Sequence, residues 1–250
     1  MSDSGSIRVG IGGWVFPPWR GTFYPAGLPQ SRELTHASRH LTAIEINGTF
    51  YNSGRADSFR KWRDETPDGF VFSLKGPRFV THRKELATAG PSLELFFSRG
   101  VLELADKLGP VLWQFAPFKQ FDEADFAGFL ELLPHSIDNR RIRHVVEVRH
   151  ASFRTQAFAD LLRQHRVAVA MVEDAKFPAF DDVTADFAYL RLRRCAEEEP
   201  TGYPPEALDS WAERARALAA EGSDVFLYFI NGAKVRAPAA AQALIARLST

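Results

Sequence analysis

Eight short runs of Val, Ile, Phe and Tyr punctuate the chain, and most are followed by a segment of helix length. Ile7–Trp14, Ala43–Tyr51, Phe70–Pro77 and Val111–Pro117 form the first half of the series. Arg143–His150, Val167–Asp174, Phe187–Arg193 and Asp224–Asn231 form the second. Runs of this length and composition predict strands, and their alternation with helices predicts a parallel sheet. Eight such units in 250 residues have the size and rhythm of a (β/α)8 TIM barrel, an α/β fold whose sites lie at the C-terminal strand ends.

The helices are marked by spacing and punctuation. Leu93, Phe97, Val101, Leu104 and Leu108 recur every three or four residues, predicting one helix from an N-cap at Ser92 to a stop at Gly109-Pro110. Phe126, Leu130 and Leu133 follow a cap at Asp122, and Phe158, Leu161 and Leu162 mark the next helix. Leu208, Trp211, Ala215 and Leu218 sit between Pro204-Pro205 and Gly222, and Leu244, Ile245 and Leu248 mark the last helix. No helical period falls between Asp174 and Phe187, so the crossover between strands six and seven is expected to be a loop. With no linker or compositional break, residues 1–250 read as one domain, with 1–6 as a flexible tail. The first loop is rich in Pro, Gly and aromatics, which predicts order.

Composition narrows the setting. Lys+Arg and Asp+Glu both number 31, so no bulk field recruits nucleic acid or an anionic membrane, and attraction for anions must come from a local cluster. The single cysteine, Cys195, excludes an internal disulfide. The segment MSDSGSIRVG has neither the basic stretch nor the apolar run of a secretory signal. No apolar stretch approaches the roughly 18 residues of a membrane span. The expectation is a cytoplasmic, soluble protein without a membrane partner.

Candidate chemistry comes from polar residues inside otherwise apolar strands. Alternation puts Glu45, Asn47 and Thr49 on one face of strand two, opposite Ile44 and Ile46. Ser73 and Lys75 share a face of strand three, Gln114 lies in strand four, and Glu147 and Arg149 share a face of strand five. Tyr189, Arg191 and Arg193 are in phase in strand seven, and Asn231 ends strand eight. Buried charges must compensate one another. They form either a structural ring or a substrate site, and strand-end position favours the site. On that reading Glu45 and Glu147 are the catalytic acid/base pair, and Lys75, Arg149 and Arg191 hold a phosphate or other anion. Trp14 and other loop aromatics either stack on a ligand or seal the core. His82 and His150 are candidates for a metal site with a carboxylate, but capping or loop anchoring is the commoner role, so no metal is assigned and the cofactor is left open. The GxGG at Gly10–Gly13 lacks the dinucleotide fingerprint, and a strand-end close approach suits it better. Arg193-Arg194 would lower the thiol of Cys195 if close, yet no base accompanies it.

The succession GGW…PPWRGTFYP, AIEINGTFY and FVFSLKGPRFVTH, followed by KLGPVLWQFAP, VVEVRHASF, FAYLRLR and VFLYFIN, resembles the YecE-like family, a barrel family of unknown function. The resemblance covers nearly the whole chain and implies the barrel without implying an activity. It also implies strand-end roles for Glu45, Asn47, Thr49, Tyr51, Lys75, Arg78, His82, Gln114, Glu147, Arg149, His150 and Arg191. Three departures, Arg193, Ile230 and Ala240 where the family carries His, Asn and Asn, fall on the rim of strands seven and eight. They imply either a more anionic ligand there or a degenerate half-site.

The first functional expectation is therefore a small-molecule enzyme, a hydrolase or isomerase, acting on an anionic or polyhydroxylated substrate. A nucleic-acid or nucleotide-phosphate binder using Arg78, Arg83, Arg193 and Arg194 is the second, disfavoured by neutral charge. A non-catalytic interaction protein on an enzyme fold is the third. A phosphate corner is also expected beside the ends of strands seven and eight, unless Glu197, Glu198 and Glu199 fold back onto its arginines.

Overall fold

The computed structural model describes residues 4–52 and 54–249. Eight parallel strands close into a barrel: β1 (Ile7–Gly12), β2 (Ala43–Ile46), β3 (Val71–Lys75), β4 (Leu108–Gln114), β5 (His144–Glu147), β6 (Ala168–Glu173), β7 (Phe187–Leu192) and β8 (Asp224–Phe229). Each strand pairs with its sequence neighbours, and β8 closes on β1. The apolar runs outlast the ladders because their last residues turn outward as C-terminal loops, the usual place for barrel sites.

The strand period separates two cores. Ile11, Ile44, Phe72, Trp113, Val146 and Leu190 point outward, where the surrounding helices bury them. Ala43, Leu112, Val145, Ala170, Tyr189, Phe226 and Tyr228 point inward and fill the barrel. The N-terminal end is plugged by Arg143, which stacks 5.7 Å from the rings of Phe187 and Phe226 and pairs with Asp224 at 2.6 Å.

The helix predicted over 92–108 is two pieces. α4 (Gly90–Ser98, with α1–α3 at Glu33–His40, Ala56–Asp64 and Arg78–Thr81) starts with Pro91 in its first turn. Gly100 then turns left-handed (φ 94°), where a Cβ would come within 2.5 Å of Ala56 Cβ. The chain continues as a 3-10 stretch, Val101–Lys107, and Gly109-Pro110 lies inside β4. A 3.6-residue period cannot register that break, because the apolar residues on both sides of it still face the same core. α5 (Glu123–Glu131) is capped as expected: Asp122 accepts from the Asp125 N–H at 3.0 Å. α6 (Gln156–Gln164), α7 (Pro205–Ala220) and α8 (Ala237–Leu248) follow.

Between β6 and β7 the crossover is a loop. Thr184 ties it down, accepting from Val169 N at 3.0 Å and donating to Val167 O at 2.7 Å. Of the tail expected at 1–6, residues 1–3 lie outside the described residues. Gly5 donates to Ala219 O and Ser6 hydrogen-bonds Asp224, so those two positions are anchored. The first loop is packed: Trp19 is buried and donates to Lys234 O at 2.9 Å, joining it to the loop after β8. No helix among the described residues is long and apolar enough to cross a membrane.

Candidate functional site

A buried ionic network spans the C-terminal half of the barrel interior. Arg191, on β7, donates to both carboxylate oxygens of Glu45 on β2, each at 2.9 Å, and to Glu147 Oε2 on β5. Tyr189 OH donates to Glu45 at 2.8 Å. Glu147 Oε1 accepts from Arg149 Nε at 2.8 Å and from Gln114 Nε2 at 2.9 Å, and Gln114 Oε1 accepts from Lys75 Nζ at 3.0 Å. Seven residues named from the strands are therefore linked from β2 to β7.

Their depths differ, and depth decides their chemistry. Glu45 and Glu147 are 0% and 1% exposed. Burial alone would raise the Glu147 carboxyl, but Arg191 and Arg149 overcome it and hold the group down to about 2. Burial works against the charge on Arg191, and the two carboxylates more than restore it, so its affinity for the proton rises above the ordinary arginine value. Such a carboxylate is locked as an anion, which is the opposite of the pKa tuning that acid/base work requires. The expected catalytic pair, Glu45 and Glu147, sits beneath Arg191 as its hydrogen-bonded counter-ions.

Above the network opens a cavity of about 390 Å3. Lys75, Gln114, Arg149 and Arg191 form part of its lining, with Asn47, Tyr51 and Asn231. Arg193, Lys234, Gly12 and Ile230 complete it. Five lining side chains are cationic and none is acidic. Lys75 is tied to a neutral partner, Gln114, with the Phe50 ring 4.2 Å from its ammonium. Burial pushes the Lys75 amine down to about 8 against the opposing pull of Glu45. β2 ends at Ile46, so Thr49 lies not on the strand but in the 3-10 turn Gly48–Phe50 after it, where it donates to Lys75 O at 2.7 Å and fixes the end of β3. Burial also lowers Lys234, whose ammonium lies 4.7 Å from the Phe16 ring.

The corner of β7 and β8 takes a definite form. Arg193 pairs with Asp174 at 2.8 Å, and the Asn231 side-chain oxygen accepts from its Nη2 at 2.7 Å. Phe177, from the β6–β7 loop, lies 4.8 Å from the Arg149 guanidinium and 5.5 Å from that of Arg193, holding the two side by side. Among the described residues, Glu197, Glu198 and Glu199 form no ion pair with these arginines. Gly232 (φ 80°) serves a contact with the protein itself, since a Cβ there would lie 2.4 Å from Cys195 O. Cys195 is buried, and burial pushes its thiol up to about 12, so Arg193-Arg194 does not activate it.

Besides the buried Glu45, Glu147 and Thr49, and Trp14, three further expected residues, Arg78, His82 and His150, stand outside the cavity lining. Arg78 stacks 5.9 Å from the Tyr51 ring. His82 Nδ1 hydrogen-bonds Arg78 O at 3.1 Å, with its ring against Phe50. His150 accepts from Ser152 N and caps a short 3-10 turn. Both histidines are loop anchors, and among the described residues no group of three or more His, Cys, Asp or Glu is arranged to hold a metal. Arg83 is committed to Thr88 and Ser92, which removes it from any continuous basic rim. The aromatics Trp19, Tyr24 and Phe50 are buried and seal the core, whereas Trp14 lines a second, adjoining hollow. Lys234 escaped the sequence reading; it lies five residues past the end of β8, opening the 3-10 turn Lys234–Arg236 with no strand or helix period to mark it. Its position after strand eight, at the usual phosphate corner, was the available signal.

Residues 8–250 match the family described as protein of unknown function DUF72. The UPF0759 protein YecE of Escherichia coli K12 is 28% identical over 148 residues, 59% of this chain and 50% of that protein. The chain thus spans about half the length of that relative. A DUF72 family protein from Thermotoga maritima has a solved structure with TM-score 0.73 at 25% identity, covering 96% of this chain and 97% of that one. Another, from Enterococcus faecalis, gives TM-score 0.74 at 17% identity over 99% of both chains, a likeness of fold.

Proposed function

This chain belongs to the DUF72 family of proteins of unknown function, and from that premise we propose that its barrel binds an anionic small molecule at the C-terminal face and transfers a proton with Lys75. The observation that carries the reading is the lining of the cavity: five cationic side chains and no carboxylate. Arg149 and Arg193 offer planar donors to a phosphate or carboxylate, and a guanidinium binds such groups in bidentate fashion. Arg191 forms the floor, its own charge balanced by Glu45 and Glu147, and so acts as a fixed donor rather than a mobile one.

Lys75 is suited to acid/base work because its amine, near 8, exchanges a proton close to neutral pH. The carboxylates first expected in that role serve instead as positioning residues for Arg191 and Arg149. A cavity of about 390 Å3 lies in the size range of small-ligand sites, which suits a metabolite-sized anion better than a polymer.

The test is a thermal-shift survey of phosphorylated, carboxylated and neutral polyhydroxylated metabolites. A ligand that binds only the folded state raises its melting temperature. Stabilisation by the anionic members, and by none of the neutral sugars, is the expected result. Stabilisation by neutral sugars alone would overturn the anion reading.

A further inference from the structure

Beside the cationic cavity lies a second hollow of about 360 Å3, and its character is opposite. Trp14, Val15, Ile46 and Trp62 give it apolar walls, while Gly12, Asn47 and Lys234 belong to both hollows and mark where they meet. We propose that the ligand of this site is bipartite: an anionic group held in the cationic cavity and a flat apolar ring, joined to it, seated against Trp14 and Trp62. The inference rests on the anion reading and adds the chemical class of the rest of the molecule.

Two features of the junction support it. Gly12 ends β1 at the meeting point, where a Cβ would come within 2.9 Å of Asn47 Nδ2 and 3.4 Å of Ile230 Cδ1. Asn47 and Ile230 pack over Gly12 where a side chain would project, so the two hollows meet across a bare glycine backbone. Lys234 supplies a cation at the same place, without an acidic partner among the described residues, and its ammonium lies 4.7 Å from the Phe16 ring and 5.5 Å from the Trp19 ring. A ligand with an anionic group and an apolar ring would meet this cation and the apolar slot side by side.

The slot is also preformed. The Trp14 and Trp62 rings meet edge to face at 5.2 Å, and Trp14 packs on Phe72 at 6.3 Å, so their positions are fixed from behind by the outer core. Val15 is 47% exposed, leaving apolar surface in water at the slot's edge. Covering it with a ring would remove that surface from water, and aromatic faces add an orientation-dependent attraction. A polyhydroxylated tail would lose its hydration against the same walls without recovering hydrogen bonds.

Titration calorimetry with inorganic phosphate, ribose 5-phosphate and phenyl phosphate separates the alternatives, using the wild type and Val15→Gln. The variant preserves charge and changes an exposed position. Phenyl phosphate is expected to bind the wild type about tenfold or more tighter than the other two, a factor that equals roughly 1.4 kcal/mol. Val15→Gln should reduce that advantage severalfold and leave inorganic phosphate unchanged. Equal affinities for all three ligands would overturn the bipartite ligand while leaving the anion site standing. An advantage for phenyl phosphate that Val15→Gln does not alter would place the ring elsewhere and also overturn it. Absence of binding by every ligand would overturn the anion reading itself.

Discussion

Arg191 and Glu147 join across the barrel, from β7 to β5, in a hydrogen-bonded ion pair in which both side chains are almost wholly removed from water. The same guanidinium grips Glu45 from the other side, so a single arginine ties three strands at the level where the site begins. Removing one member of a buried pair leaves the other charge uncompensated. Glu147→Ala should therefore destabilise the fold by about 3–5 kcal/mol, read as a lower urea midpoint. A denaturation curve that overlays the wild type would contradict the assigned pairing.

The same carboxylate sets an acid limit. Its folded value, about 2, lies below the ordinary 4.5, so its contribution is complete above about 4.5 and is lost as pH falls through 2. By linkage the shift is on the order of 3 kcal/mol. Stability measured by urea titration should fall steeply over that window, with a visibly shallower slope in Glu147→Ala. Parallel slopes would contradict it.

Lys75 behaves in the opposite sense. Its folded value, about 8, lies below 10.5, so between these limits the unfolded chain holds the extra proton and stability rises with pH. Anion affinity should fall over the same range, as the ammonium is lost. Sulfate is the suitable probe because its charge is constant there. Its affinity is expected to drop severalfold from pH 7 to pH 9 in the wild type and to stay flat in Lys75→Met. A pH-independent wild type would remove Lys75 from the site.

Burial pushes the Cys195 thiol up to about 12, which leaves almost no thiolate at neutral pH. Iodoacetamide at pH 8 should leave the native protein unmodified, by mass spectrometry, for as long as it stays folded. Full alkylation should follow in urea. Rapid native labelling would show the thiol to be exposed or activated.

Much of this was legible in the sequence, for a physical reason. A two-residue period assigns each strand residue to one of two faces, and burial of one face fixes the register. Glu45, Ser73, Lys75, Gln114, Glu147 and Arg191 could thus be placed inside the barrel from phase alone. Phase does not give depth along the barrel axis. Whether Glu147 faces a ligand or Arg191 depends on which side chain from the opposite wall reaches it, and that contact joins positions 44 residues apart. Lys234 was hidden for a related reason, since a loop residue has no periodicity to place it. The break at Gly100 is a third case: a left-handed turn can interrupt a helix without disturbing its apolar spacing.

An anion site formed by the five cations of the cavity is put to the test by calorimetric titration of inorganic phosphate into wild type and Arg149→Met, at matched ionic strength. Arg149 is chosen because it lines the cavity and is 18% exposed, whereas Arg191 is embedded in the network. Saturable one-site binding by the wild type, weakened about tenfold or more in the variant, a loss of roughly 1.4 kcal/mol or greater, is the result the structure predicts. Equal affinity in both proteins, or no saturable heat in the wild type, would contradict it.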